Sequence, residues 1–237
     1  MRIAIVGLGR MGREVESLLR DRGHEAVLVG RGEPFPGQCP VGIDFTRADA
    51  VPDNVRVAMS AGARYVVGTT GWDDRRDEVR RIVEEAGGGL VYAANFSLGV
   101  QLFYRVARHA AGLMARFPEY DPYVLERHHR GKRDSPSGTA RALASILESQ
   151  AGSRPRATTE LTGGLAEDAF HVAAVRAGGI VGDHTVGFDS GGDEILLEHR
   201  ARTRRGFALG SLLAAEWIAT RTGFHAFDAV IEDLLAG

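Results

Sequence analysis

The segment RIAIV at residues 2–6 runs directly into GLGRMG at 7–12, after which Met11, Val15, Leu18 and Leu19 recur at helical spacing. A short β-branched run, a glycine-rich turn and an amphipathic helix in that order make the first half of a βαβ unit, whose next strand must return parallel to the first. No other feature of the chain limits its fold so strongly. In a G-x-G-x-x-G loop so placed, Gly7 makes the tight turn and Gly9 lets the backbone approach a diphosphate. Gly12 lets the helix pack closely on the strand, and the helix N-terminus attracts the anion. Leu8, Arg10 and Met11 complete this candidate cofactor loop. Arg10 reads equally as a phosphate contact or a solvated surface cation, and the Met11 side chain reads as core.

The alternation continues through EAVLV (25–29), VGIDFT (41–46), RYVV (64–67) and LVYA (90–93), with helical stretches from Ala48 and from Asp73 to Glu85. This pattern predicts an α/β fold with a doubly wound parallel sheet, Rossmann-like in its first loop. Residues 30–40, rich in Gly and Pro, read as a loop where a crossover helix would normally stand. Gly68, Thr69 and Thr70 follow one strand, and Ala93, Ala94, Asn95 and Phe96 follow the next. Ligands of open α/β sheets bind at that carboxyl edge. The threonines can present polar groups to a cofactor or cap a helix. Asn95 can bond a carboxamide, and Phe96 reads also as plain core.

Past residue 95 the pattern changes. A helix is expected over 98–116, a strand over 123–126 and a helix over 139–148. Strands follow over 171–176, 184–188 and 194–202, with Gly-Gly turns between them, and a helix over 207–220 closes the series. Runs of strands predict an open, mostly antiparallel or mixed sheet, hence a second α+β domain.

Between them lies ERHHRGKRDSPSGTA at 126–140. His128 and His129 are adjacent, so on extended backbone they point to opposite sides, and Lys132 stands in the same cationic stretch. Such density suits a site that binds an anion and moves a proton. Adjacent histidines rarely converge on one ion, no cysteine joins them and nearby cations repel it, so no metal is expected. Gly138 and Thr139 open a helix whose N–H groups, with the Thr139 hydroxyl, suit a carboxylate; a well-capped helix is the plainer account. His171, His184 and His199 read as ordinary strand residues.

Composition narrows the class. Twenty-nine Lys and Arg against 31 Asp and Glu leave a net charge of −2, which argues against a nucleic-acid partner bound by broad positive charge. No apolar run is long enough to span a membrane, and Met1 leads straight into a strand rather than a signal peptide. The single cysteine, Cys39, excludes an intrachain disulfide and fits a reducing cytoplasm.

Together these blocks resemble the 4-hydroxy-tetrahydrodipicolinate reductase (dihydrodipicolinate reductase) family of lysine and diaminopimelate synthesis. GLGRMG, IDFT (43–46), VVGTTG (66–71), AANFSLGV (93–100), the His-His-Lys block, VRAGGIVGDHTVGF (175–188) and LEHRARTRRGFALGSLLAAEW (197–217) carry the likeness. It implies a dinucleotide-binding domain over 1–96 and 207–237, and a substrate-binding and tetramerisation domain over 97–206. It also implies a homotetramer, a cyclic dicarboxylate substrate, and NADPH and/or NADH as cofactor. By the same likeness His128 is the general acid/base, Lys132 the second proton donor, His129 a substrate contact, and Gly138 and Thr139 the carboxylate site. Residues 7–12, 68–70 and 93–96 become cofactor contacts. The chain departs from the family pattern in lacking a helix between 30 and 40 and in a phosphate loop often one residue longer elsewhere. The second strand ends Leu28-Val29-Gly30-Arg31, so a glycine followed by a cation stands where a strict NAD site has an acid. Arg31 can fork to a 2′-phosphate or stand as a solvated loop arginine, and Glu33 can still supply a carboxylate. Rival readings are a related amino-acid dehydrogenase and a nucleotide sensor without catalysis.

Overall fold

The structure, a computed structural model, describes residues 1–150, 156–161 and 163–236. The chain divides into two compact units, Met1–Leu98 with Arg204–Gly237, and Gly99–Thr203.

In the first unit six parallel strands lie in the order β11-β5-β4-β3-β1-β2. They are β1 (Arg2–Val6), β2 (Glu25–Val29), β3 (Val41–Asp44), β4 (Arg64–Val67), β5 (Gly89–Tyr92) and β11 (Gly223–Ala226). The helices are α1 (Arg10–Asp21), α2 (Val51–Ser60), α3 (Arg76–Glu85), α6 (Arg205–Ile218) and α7 (Phe227–Ala236). Successive strand side chains alternate between faces, and both faces are apolar. Ile3 and Ile5 pack with Leu18 and Leu19 of α1 and with Leu212 and Ile218 of α6. Ala4 and Val6 pack with Val55 and Met59 of α2 and with Val79 and Val83 of α3. The doubly wound sheet read from the sequence is thus explained by burial on both faces. Strand order reverses between β1 and β3, which opens a crevice at their carboxyl ends.

No helix joins β2 to β3, as the Gly- and Pro-rich composition of 30–40 implies. β3 stops at Asp44, two residues before its expected end, because the Thr46 N–H turns to the Asp44 carboxylate and the Thr69 hydroxyl. β11 and α7 have no counterpart in the sequence reading. β11 is four residues, GFHA, without periodicity, and it becomes a strand by pairing along β5.

The second unit holds a mixed sheet in the order β10-β9-β6-β8-β7. Its strands are β6 (Asp121–His128), β7 (Arg156–Thr158), β8 (Ala169–Arg176), β9 (Asp183–Asp189) and β10 (Glu194–Arg200). β6 pairs parallel with β8 and antiparallel with β9, so the sheet is mixed, as expected. One face is covered by α4 (Leu98–Met114) and α5 (Gly138–Gln150). Phe103 and Ala107 of α4 and Leu143 and Leu147 of α5 pack there against Val124, Phe170, Val172 and Phe188. The sheet also exposes large apolar side chains at Val175 and Leu196. β7 was not read from the sequence, and β6 runs two residues further at each end than expected, which places His128 on the strand itself.

Candidate active site

The glycine loop of the first unit has the stereochemistry its sequence demands. Gly7 has φ +99°, and a Cβ there would stand 2.6 Å from the Phe45 carbonyl oxygen. A Cβ on Gly12 would collide with the Gly7 carbonyl oxygen, so α1 can start against β1 only with glycine in place. Gly9, the N-cap of α1, meets no protein atom within 4 Å of a notional Cβ. Bare backbone at a helix N-terminus, with no acidic residue in its first turn, is a cradle for an anion. Beside it lies a cavity of ≈ 850 Å³, lined among others by Gly7, Leu8, Arg31, Glu33 and Arg47. Gly30 donates its N–H to the Glu33 carboxylate at 2.6 Å. Arg47 is held bidentately by Asp49, whereas no ion pair engages Arg31 among the described residues. Arg10 is exposed, and Met11 is half-buried.

The next two turns are shaped from inside. Asp44, fully buried, accepts hydrogen bonds from the Thr46 N–H and hydroxyl, the Thr69 hydroxyl, the Asn54 amide and the Tyr65 phenol, at 2.7–3.1 Å. Burial, then the Asp44 charge, pushes Tyr65 well above the usual phenol range, so it remains a donor. The Thr69 carbonyl accepts from Trp72 Nε1, so Thr69 faces inward and Thr70 is the exposed member of the pair. Asn95 Oδ1 accepts the Ser97 N–H at 2.8 Å. Phe96 is buried in the core against Phe227, and its carbonyl packs against Gly210 of α6. Asp44 was not singled out by sequence reasoning; a charged residue ending an apolar strand was the available signal.

In the second unit β6 carries Glu126 and His128 on one face, both buried. His128 Nδ1 lies 3.2 Å from Glu126 Oε2, near enough for charge attraction though not aligned as a hydrogen bond. The other carboxylate oxygen accepts from Arg176 Nη2 at 2.8 Å and from the Ser137 N–H at 2.9 Å. Burial alone would raise the Glu126 carboxyl; the attraction of the facing His128 ring and the hydrogen bonds from Ser137 and Arg176 outweigh it and hold the group well below the usual carboxylate range. Register brings in His184, directly opposite Glu126 on β9, with its ring 5.1 Å from that of His128 and tilted 72°. Burial, then the neighbouring His128 charge, lowers His184 to about 4. Its Nε2 lies 3.3 Å from the Ser137 hydroxyl. Glu126, His128 and His184 offer donor atoms within 4.8 Å of one another, but a guanidinium already compensates the carboxylate, so the cluster is an ion-paired one.

The partner of His128 is therefore His184 rather than the adjacent His129, which is half-buried beyond the strand end. Lys132 Nζ is paired with the Asp134 carboxylate at 2.8 Å. Ser137 caps α5 through the Ala140 N–H, Gly138 faces open space, and Thr139 is buried with its side chain hydrogen-bonded to Tyr104. Sequence reasoning passed over Arg176, His184 and Tyr104, whose roles arise from strand register and helix packing.

A family model described as dihydrodipicolinate reductase, C-terminus, matches residues 99–231, and one described as dihydrodipicolinate reductase, N-terminus, matches residues 28–96. A 4-hydroxy-tetrahydrodipicolinate reductase from Christiangramia forsetii is 35% identical, over 99% of both chains. One from Archaeoglobus fulgidus is 36% identical over 98% of this chain and 100% of its own. Among solved structures, a dipicolinate-bound dihydrodipicolinate reductase from Paenisporosarcina sp. TG-14 superposes with a TM-score of 0.75 at 22% identity, covering 97% of this chain and 98% of that one. At that identity the likeness concerns the fold.

Two outcomes follow from these geometries. Gly9→Ala should leave the melting temperature unchanged, since the methyl meets no protein atom, and should weaken dinucleotide binding if the loop holds the diphosphate, whereas Gly12→Ala lowers the melting temperature. Thermal denaturation with fluorescence titration of a reduced dinucleotide separates them; tight binding by Gly9→Ala would remove the loop from the cofactor site. For His184, the unfolded ring takes a proton near pH 6.5 and the folded ring resists down to about 4. The native state binds fewer protons between those values, so this contribution is complete above pH 6.5 and is lost as pH falls toward 4. Glu126 acts with the same sign, its contribution being lost on acidification from the usual carboxylate value downward. Urea denaturation from pH 7 to 4.5 should show stability falling by a few kcal/mol, and His184→Gln should flatten that slope; an equal slope would overturn the assignment.

Proposed function

The chain belongs to the dihydrodipicolinate reductase family, whose two models together match most of it, and on that premise we propose how its residues divide the work. It is an oxidoreductase of lysine and diaminopimelate synthesis, reducing 4-hydroxy-tetrahydrodipicolinate to tetrahydrodipicolinate. Overall one hydride and one proton enter the substrate and one water leaves. A bound reduced nicotinamide supplies the hydride. The Gly9 cradle, the open N-terminus of α1 and the adjacent cavity fit the diphosphate and adenosine end of such a dinucleotide.

The observation that carries the residue assignment is a buried histidine held against a buried, ion-paired carboxylate at the end of β6. His128 is the general acid that delivers the balancing proton. Lys132, on the loop that follows, neutralises a substrate carboxylate and serves as second donor once it leaves Asp134. Gly138, with bare backbone at the start of α5, receives a carboxylate, and Thr139 shapes that entrance through its bond to Tyr104. His129 is a substrate contact at the rim. Thr70 and the backbone of residues 93–96 serve the nicotinamide end. Support for self-association as a homotetramer comes from the apolar residues Val175 and Leu196 exposed on the mixed sheet. A cytoplasmic location is part of the same reading; among the described residues no helix is long and apolar enough to cross a membrane.

His128→Gln should lower kcat by roughly 10²–10⁴-fold with dinucleotide affinity nearly unchanged. Steady-state turnover at 340 nm with fluorescence titration measures both, and near-normal kcat would remove His128 from the chemistry. For cofactor choice, Arg31 lacks an ionic partner among the described residues while Glu33 is turned onto the Gly30 N–H. Both cofactors should work, with NADPH bound at least as tightly as NADH. Arg31→Ala should raise the Kd of NADPH about tenfold or more, as for a lost charge-assisted bond, and barely change that of NADH. Equal changes for the two would mean that Arg31 does not read the 2′-phosphate.

A further inference from the structure

The carboxylate beside His128 has a division of labour between its oxygens. Glu126 Oε1 is filled by two donors, Arg176 Nη2 and the Ser137 N–H. Oε2 is fully enclosed, has no aligned hydrogen-bond partner, and faces His128 Nδ1 at 3.2 Å. Nδ1 is closed off from solvent as well, which leaves Nε2 as the nitrogen able to reach a substrate. On that side a Cβ at residue 182 would stand 3.0 Å from Nε2, so glycine keeps the atom uncovered. His184 Nε2 is the other group near Oε2, at 3.7 Å.

We propose that Glu126 is a positioning residue for the reaction, fixing the His128 ring through Nδ1 so that Nε2 presents the proton, while Arg176 and Ser137 hold the carboxylate in place. The inference rests on the general-acid reading of His128. Its physical content is a choice of tautomer and a compensated charge. An Nδ1–H facing an anionic oxygen is stabilised, and so is the imidazolium that must exist before each proton transfer. Arg176 supports this twice, since its Nη2 also donates to the Asp134 carbonyl at 2.6 Å and so ties the Lys132 loop to the same carboxylate.

The pattern of donors fixes what an amide would do. In Glu126→Gln the carbonyl oxygen must take the Oε1 place, because two N–H donors point there, and the amide nitrogen then faces His128 Nδ1. The neutral ring is driven to carry its proton on Nε2, and a buried imidazolium meets N–H groups instead of an anion. A corresponding carboxylate-to-amide change in serine-protease triads imposes the wrong tautomer and costs about 10⁴ in kcat. Here the expected loss is roughly 10–100-fold, a share of the whole general-acid effect.

The test combines spectroscopy on the unaltered enzyme with a double-mutant cycle. Nitrogen-15 NMR of histidine-labelled protein, with His128 assigned by its loss in His128→Gln, should show the neutral ring protonated on Nδ1; protonation on Nε2 overturns the proposal without any need for a Glu126 variant to fold. In turnover, Glu126→Gln should lower kcat with substrate KM changed less than about threefold, and should add nothing further in a His128→Gln background. If both single variants are impaired and the Glu126→Gln loss persists undiminished in the double variant, Glu126 acts on structure and not through His128. If instead His128→Gln turns over normally, the general-acid reading itself fails, an outcome the tautomer measurement keeps separate.

Discussion

An ionised carboxylate taken wholly out of water costs several kcal/mol unless its lone pairs are filled, and this chain buries one near the carboxyl end of a strand in each unit. Asp44 ends β3 and Glu126 lies two residues from the end of β6, both fully buried. Each collects donors from the turns beside it and from neighbouring helices and strands. Asp44 draws in Thr46 from the turn after its own strand, Thr69 from the turn after β4, and Asn54 from α2. Glu126 draws in Ser137 from the entrance of α5 and Arg176 from the end of β8. The loops at these edges are thus fixed by electrostatic necessity rather than by packing. Their inward polar groups are committed, while Gly9, Thr70 and Gly138 remain open outward.

Two histidines beside one carboxylate show how position divides function. His184 sits at the second position of β9, opposite Glu126 in the ladder and 3.7 Å from Glu126 Oε2, and burial with the His128 charge keeps it neutral down to about 4. It serves the site as a packed ring and a partner of the Ser137 hydroxyl. His128 sits at the last position of β6, nearer the same oxygen at 3.2 Å, with one ring nitrogen enclosed and the other uncovered. Ring identity is the same; half an ångström to the carboxylate and an uncovered Nε2 set the two apart, and the proposed acid is the ring with that open nitrogen.

How much of this was legible follows the range of the interactions. β1, the glycine loop and α1 are local, and their composition determines them. The missing helix at 30–40 was equally plain from Gly and Pro. The His-Lys block stood out because charge so dense is costly without a task, and the structure gathers His128 with Glu126, Arg176 and His184 there. What escaped were pairings across the sheet: β11 exists because β5 offers it a ladder, and His184 joins His128 because β9 runs antiparallel to β6 in that register. Thr69 and Phe96 were placed at the right edge, yet their side chains turn inward, which depends on Asp44 and Phe227, far along the chain. Glu126 joins His128 on one face only because β6 runs two residues past its expected end at 126.

The ion pairs of the second unit fall into two kinds, and the difference bears on how a dicarboxylate enters. Glu126 with Arg176 is enclosed, the carboxylate side chain fully buried and the guanidinium mostly so. Breaking it would strand a charge without solvent, at a cost of several kcal/mol, so it stays fixed through a catalytic cycle. Lys132 with Asp134 is different: the two side chains keep 23% and 45% of their exposure, and pairs so exposed are typically worth about 0–1 kcal/mol. Under the role proposed for Lys132, a substrate carboxylate can replace Asp134 on the ammonium with little loss, because the released aspartate returns to water. Asp134 is itself anchored by its backbone carbonyl to Arg176, so the exchange moves side chains and leaves the loop where Glu126 holds it. On the proposed roles, the fixed pair sets the geometry and the exchangeable pair keeps the lysine in position until a substrate carboxylate takes it over.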